Sequence, residues 1–187
     1  MEFLVLGLVG RRGCGKDTMA DYLKAKYGFR VLTYTNDVLG PILKERGLAV
    51  TRENLIDLAL DMRRDCGRGV LTELICRKIE RSGFWAISGV RYPEEVSYFK
   101  KAFGDAFRLV HVACCTKKRY ARVRKRGTKG EGRMSLKKFM EIEGRETEKI
   151  MNETIGLADF SVSNDGTIRQ FEKAIDALVG KIGLRKS

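Results

Sequence analysis

The sequence predicts a doubly wound α/β fold on five parallel strands, and three observations carry that expectation. An uninterrupted apolar run, Phe3-Leu4-Val5-Leu6-Gly7-Leu8-Val9, has the character of a strand buried on both faces. A glycine-rich turn follows it and leads into a helical pattern. Beyond that point strand-like and helix-like segments alternate along the chain, the order a parallel sheet requires.

The elements follow in sequence. Residues 18–27 have helical spacing, with Met19, Ala20, Tyr22 and Leu23 on the apolar side and Gly28 as the stop. Residues 29–34 read as a short second strand. Three helical stretches come next, at 37–46, 51–66 and 70–81. The second opens on Thr51 and Asn54, a partial capping pattern, and carries Leu55, Ile56, Leu58, Ala59 and Met62 at core spacing. A strand at 84–88 precedes a helix at 93–103 that begins on Pro93. A strand at 107–114 leads into a basic helix at 117–126, a glycine-rich break at 127–132 and a helix at 135–150. The last strand is 158–162 and the last helix 167–179.

Length and composition limit the function. The chain of 187 residues is enough for one domain with a real core. Its 37 basic and 24 acidic side chains leave a formal charge of +13, which attracts nucleotides, nucleic acid or an anionic membrane surface without choosing among them. Five cysteines, an odd number without a C-x-x-C pair, fit neither a disulfide framework nor a zinc site. Vicinal Cys114 and Cys115 read as core packing, and the single His111 as structural. The run 3–9 is too short to span a bilayer and lacks the flanks of a signal peptide, so the expected location is the cytoplasm, with no membrane partner.

The chemistry rests on Gly10-Arg11-Arg12-Gly13-Cys14-Gly15-Lys16-Asp17-Thr18. It matches G-x-x-x-x-G-K between a strand and a helix, the context that identifies a P-loop. Glycines let backbone N–H groups turn inward toward phosphate oxygens, and the helix start adds its positive dipole end. The expected ligand is ATP with Mg²⁺, held by Gly10, Arg12, Gly13, Cys14 and Gly15. Lys16 would follow the β- and γ-phosphate charge as it migrates. Asp17 stands where Ser or Thr usually holds the metal. Its carboxylate can ligate Mg²⁺ directly or through water, or orient the acceptor nucleophile. Thr18 either caps the helix or touches the α-phosphate. The strand 84–88 ends in Ser88-Gly89-Val90-Arg91 without an acid, and Arg91 falls at the C-terminal edge of the sheet, where it could grip an acceptor phosphate.

These residues carry a family resemblance. Gly15-Lys16-Asp17-Thr18 followed by Ala20-Asp21-Tyr22-Leu23 resembles P-loop kinases of the deoxynucleoside monophosphate kinase and dephospho-coenzyme A kinase group. Ser88 to Glu95 resembles the strand-end motif of the phage deoxynucleotide monophosphate kinases, with Gly89 where an Asp commonly precedes the Val-Arg pair. The stretch from Ala158-Asp159-Phe160 to Asn164-Asp165-Gly166-Thr167 is similar to the last-strand motif of dephospho-coenzyme A kinases. Thr51-Arg52-Glu53-Asn54-Leu55 resembles archaeal and bacterial relatives of that group. The resemblance implies a P-loop kinase core with an acceptor-binding helical insertion at 37–81 and an arginine-bearing lid at 117–145. It also implies that Asn164, Asp165 and Gly166 pack on the base of the donor nucleotide.

The basic helix can be read by itself. Lys118, Arg122 and Arg126 align at i, i+4, with Arg119 one step away. Their repulsion would be relieved by a polyphosphate, which makes Arg119 a donor contact and Arg122 and Arg126 candidates for stabilising migrating charge. Arg133 and Arg145 are further candidates, and the intervening glycines, including Gly130, supply hinge freedom. In the acceptor region Arg46, Arg52, Arg63 and Arg64 are available, although Asp61 and Asp65 explain Arg63 and Arg64 equally well as local ion pairs. Asp37 could orient the acceptor or cap the helix beginning there. The expected activity is transfer of the γ-phosphoryl of ATP to a small phosphorylated acceptor, a nucleoside or deoxynucleoside monophosphate. Phosphorylation of dephospho-coenzyme A, with Asp17 or Asp37 as base, is the nearest alternative. A nucleic-acid-associated P-loop protein is an alternative of another class.

Overall fold

The computed structural model describes residues 2–127, 132–144 and 146–184, without the side chains of 52 and 146–149. Five strands form one parallel sheet in the order β2-β3-β1-β4-β5, with β1 Phe3–Val9, β2 Arg30–Thr33, β3 Gly83–Val90, β4 Phe107–Ala113 and β5 Phe160–Ser163. The central strand β1 is the apolar run. Because side chains alternate, Val5 and Val9 face one side and Leu4, Leu6 and Leu8 the other.

Helices cover both faces. Helix α1 (Lys16–Tyr27) and helix α9 (Ile168–Lys181) pack Met19, Leu23, Phe171, Ile175 and Leu178 on the Leu4-Leu6-Leu8 face. The opposite face receives α2 (Gly40–Glu45), α3 (Arg52–Cys66), α4 (Val70–Cys76), α5 (Pro93–Phe103) and α8 (Glu146–Gly156), through Leu43, Leu58, Leu71, Phe99 and Met151. Phe99 and Phe107 stack at 5.0 Å between α5 and β4. Helix α6 (Thr116–Arg126) follows β4 and α7 (Leu136–Glu143) precedes α8. Among the described residues no helix is long and apolar enough to cross a membrane.

Most boundaries shift by one or two residues from expectation, and three differences have a visible backbone cause. Helix α4 stops at Cys76 rather than 81, because Arg77, Lys78 and Ile79 turn back onto the carbonyls of Glu73, Ile75 and Cys76. The helix expected at 135–150 breaks at Gly144, whose N–H closes on Met140 and Glu141, leaving α7 and α8. The helix expected from Asp37 begins earlier, as a π-helical turn over Thr35–Leu39 that runs into α2. Thr51 does cap α3, accepting from Asn54 N–H.

Candidate functional site

The C-terminal ends of the parallel strands converge on the loop after β1, where open α/β sheets bind ligands. Gly15 stands at the N-cap of α1 with φ of 105°, a backbone only glycine adopts without strain, and an added Cβ would lie 2.2 Å from Asn164 Nδ2. Cys14 N–H donates to Arg11 O and Met19 N–H to Gly15 O, so the chain curls into the first helical turn. Lys16 Nζ donates across the loop to Gly10 O at 2.6 Å and lies 3.7 Å from Cys14 Sγ. Thr18 is the third residue of α1 and exposed, so it does not cap that helix.

Asp17 is exposed at the mouth, and Ser88 Oγ donates to its Oδ1 at 2.9 Å. A bulge in β3 aims that hydroxyl. Leu8 pairs with Ser88 but Val9 pairs with Val90, so Gly89 is the extra residue, at φ of 101°. The conformation accounts for glycine where the resembling kinases carry Asp. The bulge also delivers Arg91, whose side chain is exposed at the sheet edge and whose backbone is fixed on both sides. Its N–H donates to Glu95 Oε2 at 2.8 Å and its carbonyl accepts from Thr154 Oγ1 at 2.8 Å.

Glu95 is fully buried and also receives Tyr92 N–H and Arg63 Nη2. Burial pushes its carboxyl above the usual range, against the pull of those donors. Arg63 therefore has a partner on α5 rather than the local pairing with Asp61 or Asp65, and its guanidinium stacks over Tyr92 at 4.8 Å. Arg64 does pair with Asp61 and Asp65. Asp37 accepts from Thr33 N–H at 2.6 Å while Thr33 Oγ1 accepts from Asn36 N–H, so the carboxylate staples the start of its own helical turn. The side chain of Arg52 lies outside the described residues.

On the other flank the last-strand motif serves the loop itself. Asn164 is buried, and its Nδ2 donates to Cys14 O at 2.7 Å. Asp165 Oδ1 accepts Cys115 N–H at the start of α6, the bond that chiefly holds its carboxyl below the usual range. In this structure the Asn164 and Asp165 side chains are thus engaged with the loop and with the start of α6. Gly166 abuts Gln170, where a Cβ would lie 2.3 Å from Oε1.

Helix α6 packs its inner face on the loop. Arg119 is buried, donates to Cys114 O and Arg12 O, and pairs with Glu143 at 2.6 Å, so its guanidinium is engaged by protein groups that include the loop. Arg11 of the loop shares Glu143 at 3.2 Å and bonds Asn152 at 2.8 Å. Arg122 reaches Asn164 O and Oδ1, Cys14 O and Cys114 Sγ. Arg126 is exposed at the helix end, whereas Gly130 and Arg145 lie outside the described residues. All five cysteines are free thiols. Cys114 is half-buried and, chiefly by burial, raised to about 11, while Cys115 is exposed and not core as expected. His111 shares a hydrogen bond with Ser161, and burial lowers its pKa.

Residues 6–151 match the AAA_18 family, described as an AAA domain. A UPF0200 protein of Sulfurisphaera tokodaii is 32% identical over 178 residues, covering 95% of this chain and 97% of that protein. The chain belongs to the UPF0200 family, with an AAA domain. A UPF0200/UPF0201 protein of Archaeoglobus fulgidus is 30% identical over 190 residues, and the chain spans 57% of its length. Solved structures similar to this UPF0200 chain have the same fold at low identity. A deoxyadenosine kinase from M. mycoides with bound dATP superposes with a TM-score of 0.58 at 12% identity, over 97% of this chain and 100% of that one. A shikimate kinase from Bacteroides thetaiotaomicron gives 0.57 at 13%, over 97% and 99%. The fold is thus the P-loop kinase type, and the domain is a nucleotide-binding one.

Several working residues of this UPF0200 chain escape a reading of motifs. Ser88, Thr154, Glu143 and Asn152 act through partners distant in sequence, and no local pattern announces them. Glu95 had a signal: a Glu two positions after a helix-opening Pro93 is placed to bond the backbone just before it.

Proposed function

We propose that this chain is an ATP-dependent phosphotransferase that phosphorylates a nucleoside or deoxynucleoside monophosphate. The reading rests on one observation: Lys16 spans the loop to Gly10 O, and the adjacent Asp17 carboxylate is held by Ser88 at the end of β3, the strand that leads into Arg91. Asp17 and Ser88 are hard oxygen donors of the kind Mg²⁺ prefers. Among the described residues no group of three or more His, Cys, Asp or Glu could hold a metal, so phosphates and water would supply most of its shell. When bound, the metal would neutralise charge on the β- and γ-phosphates.

The protein's own residues do the rest. Inward N–H groups of the loop bind the phosphates, and Lys16 exchanges the Gly10 carbonyl for phosphate oxygen. Arg91, its backbone pinned by Glu95 and Thr154, holds the acceptor phosphate in line with the γ-phosphorus. An acceptor phosphate oxygen is already ionised at neutral pH and attacks without a strong base. Arg63 stands behind it through Glu95, Arg122 touches the loop at Cys14 O, and Arg126 at the end of the same helix is the further candidate for the migrating charge.

A screen with γ-labelled ATP over mononucleotides and dephospho-coenzyme A tests the reading. Label is expected on a nucleoside monophosphate, and Lys16→Met should lower turnover at least ~1000-fold while the melting temperature holds. Label confined to dephospho-coenzyme A, or an active Lys16→Met, would refute it.

A further inference from the structure

The cations of α6 divide between two opposite faces. At 100° per residue, Arg119, Arg122, Val123 and Arg126 share the face that packs on the P-loop, where an added Cβ on Gly13 would meet Arg119 O at 2.9 Å. Lys117, Lys118, Ala121, Arg124 and Lys125 lie on the other side and are exposed. The inner arginines Arg119 and Arg122 are bonded to Glu143, Asn164 and loop carbonyls. On the outer face, among the described residues, no acidic side chain is within ion-pair distance of Lys117, Lys118, Arg124 or Lys125. Like charges one turn apart repel, and among the described residues the acidic group that acts on this face is Asp165, toward Lys118 alone.

The outer face is also concave. A cleft of about 470 Å³ is lined by Lys117, Tyr120, Ala121, Arg124, Lys125 and Gly132. Its floor is an aromatic pair: Tyr120 lies 5.5 Å from the buried ring of Phe139, tilted at 59° to it, and carries the Arg124 guanidinium 5.6 Å above its own ring. Tyr120 is fixed by its hydroxyl, which donates to Met134 O at 2.9 Å.

We propose that the outer face of α6 binds single-stranded RNA, with backbone phosphates along Lys117, Lys118 and Lys125 and a base against the Arg124–Tyr120 pair. Three considerations select that ligand. Adjacent cations along a helix match a chain of phosphates better than one compact anion. A guanidinium plane backed by an aromatic ring offers a stacking surface, and unpaired RNA loops and ends present bases and phosphates together. A membrane surface fits less well, because the apolar residue of α6, Val123, is turned to the P-loop and only Ala121 lies among the outer cations.

The test uses the full chain and a labelled unpaired 12-mer RNA, followed by fluorescence anisotropy across a salt series. Three to four phosphate contacts predict a log–log salt slope of about −2 to −3. The triple variant K117Q/R124Q/K125Q should bind ~10-fold or more weakly, with the slope flattened by about 1.4 through loss of the Lys117 and Lys125 phosphate contacts. Its melting temperature and affinity for a fluorescent ATP analogue should stay as in the wild type, and K100Q/K101Q on α5 should bind RNA normally. Equal binding by the triple variant, a slope near zero, or full displacement of RNA by ATP would overturn the assignment. So would equally tight binding of the matching DNA oligomer, or capture by phosphatidylglycerol vesicles that depends on the same three residues.

Discussion

The side-chain amide of Asn164 donates to the carbonyl of Cys14 across 150 positions of sequence, and the pair is buried. Carbonyls must point away from a phosphate loop so that N–H groups can point in, and each turned-out carbonyl needs a donor. Asn164 supplies one, and Arg122 adds a longer contact to the same oxygen. Asn164→Ala is expected to lower stability by about 1–3 kcal/mol, the range for stripping a buried acceptor of its partner. It should weaken ATP binding at least ~10-fold, as read by thermal melting and by titration. Unchanged nucleotide affinity would show that the loop keeps its shape without the amide. The loop itself was legible, because G-x-x-x-x-G-K between a strand and a helix has few other uses. Its fasteners were not, because Asn164, Ser88 and Glu143 gain their meaning only when distant strands lie side by side.

At the level of elements, α1 and α9 are joined at the surface by one carboxylate. Asp176 accepts from Lys26, Tyr22 and Tyr27 at 2.6–2.9 Å. Burial alone would raise its pKa, but the three donors outweigh it and the carboxyl lies below its usual range. A depressed carboxylate contributes stability that is complete above its unfolded pKa of 3.8 and is lost as pH falls through the lower folded value. Tyr27 behaves oppositely, raised to about 12 chiefly by burial and then by Asp176. Above pH 10 the unfolded chain ionises it first and stability falls. Lys26, also raised, loses its contribution in the alkaline range. Asp176→Asn should cost about 1 kcal/mol at neutral pH, a fall of about 2–4 °C in melting temperature, and flatten the decline on the acid side. A melting series from pH 3 to 11 checks both. The central strand β1 was readable from sequence because a strand buried on both faces is a continuous apolar run. Helix ends were less so: Gly144 stops α7 through its backbone, whereas the surrounding Leu136, Phe139, Met140 and Ile150 keep one helical rhythm across the break.

Over the whole molecule, alternating strands and helices imply the parallel sheet but not its order, which the folded chain supplies, and parallel strands gather their C-terminal ends at one rim. What composition could not resolve was the purpose of the +13 charge. The arginines of α6 read as one basic run, yet folding turns some of them toward the loop and leaves others outside, a division visible only once Val123 shows which way the helix faces. The long span between Cys14 and Asn164 has a further consequence, for synthesis. On a ribosome, residues 10–18 emerge about 150 residues before the amide that secures them, a delay of roughly 8–30 s at ordinary elongation rates. Nascent chains arrested before β5 should pass through immobilised ATP without retention, and chains arrested after Asn164 has cleared the exit tunnel should be held. Early retention would mean that the first part of the chain assembles its nucleotide grip alone; late retention would keep incomplete polypeptides from sequestering the cell's triphosphates.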